Sequence, residues 1–207
     1  MNCDRIARWY RWIEYAGFGR ALERRREAFL SDVSDARRVL ALGDGDGRAL
    51  AALLAAAPHA CVDYIDISAR MLELARARAG TEHINYRCVV YRNEDARTVA
   101  LPVAEYDLIV THFFLDCFDE TDLEPLIARL AGAATPRARW LISEFRGNGW
   151  LVRALYVFFR IATGLRTQRL VDHHPLLKRH GFRLVRCKDA WRGLLASELW
   201  VQESCIE

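Results

Sequence analysis

Five residues of a 207-residue chain, Gly43-Asp44-Gly45-Asp46-Gly47, place three glycines at alternate positions with an aspartate between each pair. Glycine reaches backbone conformations that other residues avoid and lets a ligand come against the main chain. Asp66 stands about twenty residues further on, where an acid ending a second strand can accept both hydroxyls of a ribose. A dinucleotide loop spaces its glycines G-x-G-x-x-G, which would put the third glycine at Arg48. Here it is Gly47, one position early. Asp44 and Asp46 would repel a pyrophosphate and oppose the attraction of a helix N-terminus for anions. The loop therefore suits a cationic ligand better than a phosphorylated one.

Other residues could act on a second ligand. His112 opens the stretch His112-Phe113-Phe114-Leu115-Asp116-Cys117-Phe118. It is a candidate general base for an acceptor that must lose a proton, and otherwise a hydrogen-bonded loop histidine. Asp116, set among aromatics, can orient a substrate, pair with an arginine or cap a helix. Phe113, Phe114 and Tyr10 are candidate substrate contacts, with Tyr15 beside them on the same N-terminal segment. Asp172-His173-His174-Pro175 puts an acid next to a histidine pair, but no further ligand is evident, so no metal is expected. Helix capping by Asp172 is the better reading.

The elements that must position these groups alternate. Ile6, Trp9, Tyr10 and Ile13 make one apolar helical face, and Gly17 and Gly19 can split residues 4–31 into two helices, the second, from Ala21 to residue 30, presenting a solvated charged face. Residues 37–42 form a short buried strand that runs into the glycine loop, and residues 49–57 form a helix ending before Pro58. Residues 60–65 make a second strand; Ser68 can cap the next helix, with Gly80 as its left-handed stop. Strands are expected at 84–90, 106–110 and 139–144. A helix should start near Asp122, with Thr121 and Glu124 as a capping box. Residues 150–162 form an aromatic-rich helix that reads as a cover over an apolar acceptor, and 172–180 a short helix stopped by Gly181. Residues 182–187 and 194–202 pair as an antiparallel hairpin. Such alternation implies βαβ units and a mostly parallel sheet, with ligands at the carboxyl ends of its strands.

With the elements in order, the chain resembles the class I S-adenosylmethionine (SAM)-dependent methyltransferases. Val39-Leu40-Ala41-Leu42-Gly43-Asp44-Gly45-Asp46-Gly47-Arg48 looks like their first motif. Tyr64-Ile65-Asp66-Ile67-Ser68-Ala69-Arg70-Met71-Leu72 resembles the second, Asn93-Glu94-Asp95-Ala96-Arg97 the adenine loop, and Tyr106 through Thr111, His112, Phe113 and Phe114 the strand-four motif. SAM carries a sulfonium and an ammonium and no phosphate, which fits the acidic loop. The resemblance implies a Rossmann-like, doubly wound α/β fold, with a mostly parallel seven-stranded sheet, a C-terminal antiparallel hairpin and an N-terminal helical lid. It assigns Asp66 to the ribose, Asp95 and Ala96 to the adenine edge, Ile67 to the adenine face, and the three glycines to close backbone approach. Met71, Thr111 and His112 also fall in its cofactor-binding motifs. The family usually carries an acid two residues before the first glycine; here that residue is Ala41, and Asp44 or Asp46 is the expected substitute. One domain is expected, with residues 1–36 as a cap, 37–146 as the cofactor core and 147–207 on the substrate side.

Composition narrows the partners. The chain is 52% hydrophobic with a formal net charge of +3, too small for tight tracking of nucleic acid phosphates. Residues 111–114 lack the paired prolines that amino-methylating DNA enzymes carry after strand four. No apolar run is long enough to span a bilayer. The six cysteines form no C-x-x-C pair, and reduced, mostly buried thiols in a cytoplasmic protein are expected. The acceptor is expected to be a small, apolar or aromatic molecule, and a homodimer is left open. Transfer to nucleic acid or protein, nicotinamide chemistry, and a non-catalytic module on the same fold are the competing readings.

Overall fold

Val39, Leu40, Ala41 and Leu42 are all buried, which is the pattern of a strand covered on both faces. In the computed structural model, which describes residues 18–81, 88–146 and 171–203, this segment is the centre of the sheet. β1 (Arg38–Leu42) lies between β2 (Cys61–Ile65) and β4 (Tyr106–His112), parallel to both. β3 (Val89–Arg92) adds to β2, and β5 (Ala134–Phe145) adds to β4, again in parallel. β7 (Leu195–Gln202) runs antiparallel between β5 and β6 (Phe182–Ala190). The sheet order is β3-β2-β1-β4-β5-β7-β6, the expected mostly parallel seven-stranded sheet closed by an antiparallel hairpin.

Alternation along the strands divides the core in two. Val39, Ala41, Val62, Tyr64, Leu108 and Val110 face α2 (Arg48–Ala56), α3 (Ala69–Thr81) and the 3₁₀ turn Leu30–Val33. Leu40, Leu42, Ile109, Trp140 and Ile142 face α4 (Glu120–Ala133) and α5 (His174–Arg179). The N-terminal helix α1 (Ala21–Arg26) is tied to the sheet through the Arg25 carbonyl, which accepts Ser143 Oγ at 3.0 Å and Ser197 Oγ at 2.7 Å. Its expected solvated face is only partial, because Leu22 and Arg26 are buried.

Several local expectations shift. The α4 cap is Asp119, whose side chain accepts from Asp122 N; Thr121 instead donates to Asp119 at 2.7 Å. Gly80 lies inside α3 and is not left-handed, whereas Gly181 (φ +79°) does stop its helix. Ser68 caps α3 as expected, accepting Met71 N at 3.1 Å. β5 starts earlier than residue 139, and β6 runs on to Ala190, the turn being Trp191–Gly193. The thiol expectation is corrected: Cys61 and Cys88 are joined in a disulfide, side by side where β2 and β3 begin, and Cys187 is exposed. The bridge removes the thiol argument for a reducing compartment. No described helix is long and apolar enough to cross a membrane. Tyr10, Tyr15 and the helix expected over 150–162 lie outside the described residues.

Candidate active site

The carboxyl ends of β1, β2 and β4 converge on the glycine loop. Gly43, Gly45 and Gly47 all have positive φ (61°, 74° and 79°). A Cβ on Gly43 would stand 2.1 Å from the Phe114 ring, and one on Gly47 would stand 2.7 Å from Ala75 Cα. The first glycine thus admits an aromatic from the β4 loop, and the third lets α2 start against α3.

The loop aspartates behave differently from each other. Asp46 is committed to arginines: Oδ1 accepts Arg48 Nε at 2.9 Å and Oδ2 accepts an Arg78 amino group at 3.2 Å. Its charge is balanced within the protein. Asp44 Oδ2 accepts Leu50 N at 3.0 Å, while Oδ1 is buried with no hydrogen-bond partner among the described residues. Burial lifts the Asp44 carboxyl to about 7. Of the two substitutes expected for the acid missing at Ala41, only Asp44 keeps an acceptor to spare. The loop is also braced by Tyr64, which pairs with Ala41 in the β1–β2 register. Its fully buried hydroxyl donates to the Gly45 carbonyl at 2.9 Å.

Asp66 is buried just beyond β2, and its Oδ1 accepts Ser68 N at 2.8 Å. Asn93 donates to the Asp66 carbonyl at 3.0 Å, linking the ends of β2 and β3. Ile67 is 38% exposed, so it does not pack in the core and is free to meet a ligand ring. Met71 is buried under the same turn. Asp95 is held by Arg97 through both carboxylate oxygens, which lowers its pKa; Ala96 beside it belongs to the core.

Of the strand-four residues, Thr111 is fully buried and its hydroxyl accepts Trp140 Nε1 at 2.9 Å. His112 is buried with Nδ1 unpartnered among the described residues. Burial, with the Arg26 charge second, pushes its pKa down to about 3. It stays neutral at ordinary pH. Phe113 takes a left-handed φ of 53° and stacks between Phe145 (5.1 Å) and the Arg26 guanidinium (5.0 Å). Arg26 thereby reaches the same corner as Asp44 and His112.

Two clusters were not visible in sequence. Glu144, near the end of β5, is buried; Oε1 accepts Phe114 N at 3.2 Å and Leu115 N at 2.9 Å, and Oε2 has no partner among the described residues. Asp116 follows at once on the 3₁₀ turn Leu115–Cys117. Glu198 supplies the third group beside His173 and His174, with Nε2 atoms 3.0 and 2.8 Å from its oxygens. Arg146 and Trp200 also donate to Glu198, so its charge is met by a cation and it acts as an ion-pair hub. Asp172 accepts His174 N at 3.0 Å, but the N-cap of that helix is His173 and has no side-chain cap hydrogen bond. The separations in sequence, 29 residues for Glu144–Leu115 and 25 for Glu198–His173, explain why no local signal revealed either cluster.

Residues 39–137 match the model of the methyltransferase domain family. A comparison with curated protein sequences gave no match. Among solved structures, the mitomycin 7-O-methyltransferase MmcR superposes with a TM-score of 0.71 at 18% identity, over 98% of this chain and 61% of that one. Human N-acetylserotonin methyltransferase, solved in complex with SAM, gives 0.64 at 19% identity, over 87% and 52%. The [4+2]-cyclase SpnF gives 0.61 at 15% identity, over 84% and 80%. At these identities the likeness is one of fold. The chain thus spans about half to two thirds of the two methyltransferases. Fold, motif order and the family model over residues 39–137 agree, and together they support a class I SAM-dependent methyltransferase family.

Proposed function

We propose that this chain binds SAM at the glycine loop and transfers its methyl group to a small molecule. The observation that carries the reading is the left-handed glycine loop at the end of β1 beside the buried carboxylate of Asp66 at the end of β2. The residues fit the cofactor: the glycines leave a cradle, and the unpartnered Asp44 Oδ1 offers an acceptor to an ammonium. Asp66 would hold the ribose hydroxyls, Ile67 the adenine face, and the backbone around Asp95 and Ala96 the adenine edge. Asp44 would take the amino group and Arg26 the carboxylate of the methionine part. Met71 supports the ribose turn from below, and Thr111 contributes main chain only, its hydroxyl being engaged. SAM supplies an electrophilic methyl group, so the chain's own task is to align an acceptor and exclude water.

The acceptor side would be lined by Phe113, Phe114 and Asp116. Four aromatic rings, those of Phe113, Phe114, Phe118 and Phe145, pair at 5.0–5.1 Å there, which supports a small, partly aromatic acceptor over a polymer. Calorimetry with SAM and with its demethylated product, S-adenosylhomocysteine, tests the cofactor. A donor-consumption screen over phenols, quinones, amines and carboxylates tests the acceptor. Absence of binding by both nucleosides would remove the proposal.

A further inference from the structure

The pairing of β4 with β5 ends at His112 and Ser143. The next residue, Phe113, leaves the strand with a left-handed φ of 53°, a conformation that a large side chain keeps only where its surroundings hold it. Three successive amides of this turn are met from β5. Phe113 N donates to the Ser143 carbonyl at 2.6 Å, and Phe114 N and Leu115 N donate to Glu144 Oε1 at 3.2 and 2.9 Å. Glu144 Oε2 has no partner among the described residues, so the grip of Glu144 on the turn passes through Oε1. Glu144 and Leu115 are both buried, where an unmet N–H is costly.

What this grip positions is the Phe114 ring. A Cβ on Gly43 would collide with Cδ2 and Cε2 of that ring. The ring therefore fills the side-chain place of the first glycine in the loop at the end of β1, although it is carried by the turn after β4. Phe118 meets the ring edge-on at 5.0 Å, and Phe114 is only half-buried. A ring pressed on the Gly43 backbone limits how far the loop can move, and a loop already ordered binds its ligand at a lower entropic cost.

Resting on the cofactor reading above, we infer that Glu144 is a positioning residue for SAM. Through the main chain of residues 114 and 115 it seats the Phe114 ring against Gly43, and that contact preorganises the glycine loop. The line of contacts runs from β5, through the turn after β4, to the end of β1. Glu144 acts on the cofactor through Phe114, and its part in this is to accept two hydrogen bonds.

The test is a double-mutant cycle in S-adenosylhomocysteine affinity, read by calorimetry on the full chain. Phe114→Leu removes the ring, and Glu144→Leu removes the acceptor at similar side-chain size. Each is expected to weaken binding by about tenfold. Both act on one contact, so the double variant should bind within about threefold of the weaker single variant; independent losses would multiply to about a hundredfold. Glu144→Gln keeps an oxygen that can accept both amides, and it should bind within about threefold of the wild type. If Glu144→Leu fails to fold, Glu144→Asp, whose shorter arm draws the acceptor away from the turn, takes its place in the cycle with the same expectations. A purely structural role for Glu144 would lower the urea midpoint without coupling to Phe114 in affinity. Normal affinity in either single variant, losses that multiply, or a loss in Glu144→Gln as large as in Glu144→Leu would overturn the inference. Failure of S-adenosylhomocysteine to bind the wild type would instead refute the cofactor reading, and this inference with it.

Discussion

Tyr64 and Tyr91 sit edge to face, with ring centroids 5.6 Å apart on neighbouring strands, yet removing the hydroxyl should have opposite effects at the two positions. The Tyr64 hydroxyl donates to the Gly45 carbonyl at 2.9 Å and lies 3.4 Å from Asp44 Oδ2. Tyr64→Phe leaves that carbonyl buried and unmet, which costs about 1–3 kcal/mol. For a domain of this length that lowers Tm by roughly 2–12 °C. The Tyr91 hydroxyl is buried with no partner among the described residues. Tyr91→Phe removes an unmet polar group and should be neutral or stabilising by up to about 1 kcal/mol. Both variants keep the ring pair, so urea midpoints at unchanged m-value compare the hydroxyls directly. Because Tyr64 braces the glycine loop, only Tyr64→Phe should also weaken S-adenosylhomocysteine binding, by about tenfold. The same sign of stability change in both variants, or a normal affinity in Tyr64→Phe, would refute the view that the Tyr64 hydroxyl braces the glycine loop.

Further predictions concern charge and close approach. Asp44, raised to about 7, binds its proton more tightly folded than unfolded. The stability of the wild type relative to Asp44→Asn should therefore be highest below about pH 3.8 and fall by roughly 4 kcal/mol as pH rises from about 3 to 7. His112, lowered to about 3, works the other way: wild type relative to His112→Phe should gain stability from pH 3 to about 6.5. Denaturant titrations across pH check both slopes. Glu198→Gln leaves Arg146 facing an uncharged partner beside two histidines, and a loss of about 3–5 kcal/mol in chemical denaturation is expected. Gly47→Ala meets both the left-handed φ and the Ala75 backbone, with a combined destabilisation of roughly 2–5 kcal/mol in the same assay.

The features that could be read from the sequence are local ones. Val39 to Leu42 declares a buried strand by continuous apolarity, the glycines declare a turn by their backbone freedom, and Ser68 declares a cap by its place before Met71. Even locally, competition between neighbours decides details: Asp119 and Thr121 could each cap α4, and the charged acceptor wins. Gly80 could have ended α3, but a glycine is also tolerated within a helix. The hidden features depend on which strands lie side by side. Glu144 meets Leu115 only because β5 pairs with β4, and Glu198 meets His173 only because β7 turns back along β5. The arginine that meets Asp46 was hidden for the same reason, since Arg78 approaches from a different helix. Asp116 among the aromatics was legible in the sequence, whereas Glu144 behind their loop came only from the sheet.

Asp66 bears the central claim most directly, because it should touch the ribose while its Oδ1 accepts Ser68 N. Calorimetry of S-adenosylhomocysteine with the wild type, Asp66→Asn and Asp66→Ala separates the two roles. The account predicts binding by the wild type and a loss of at least about tenfold in both variants, with Asp66→Asn folding as stably as the wild type. No binding by the wild type, or equal affinity in all three proteins, would contradict it.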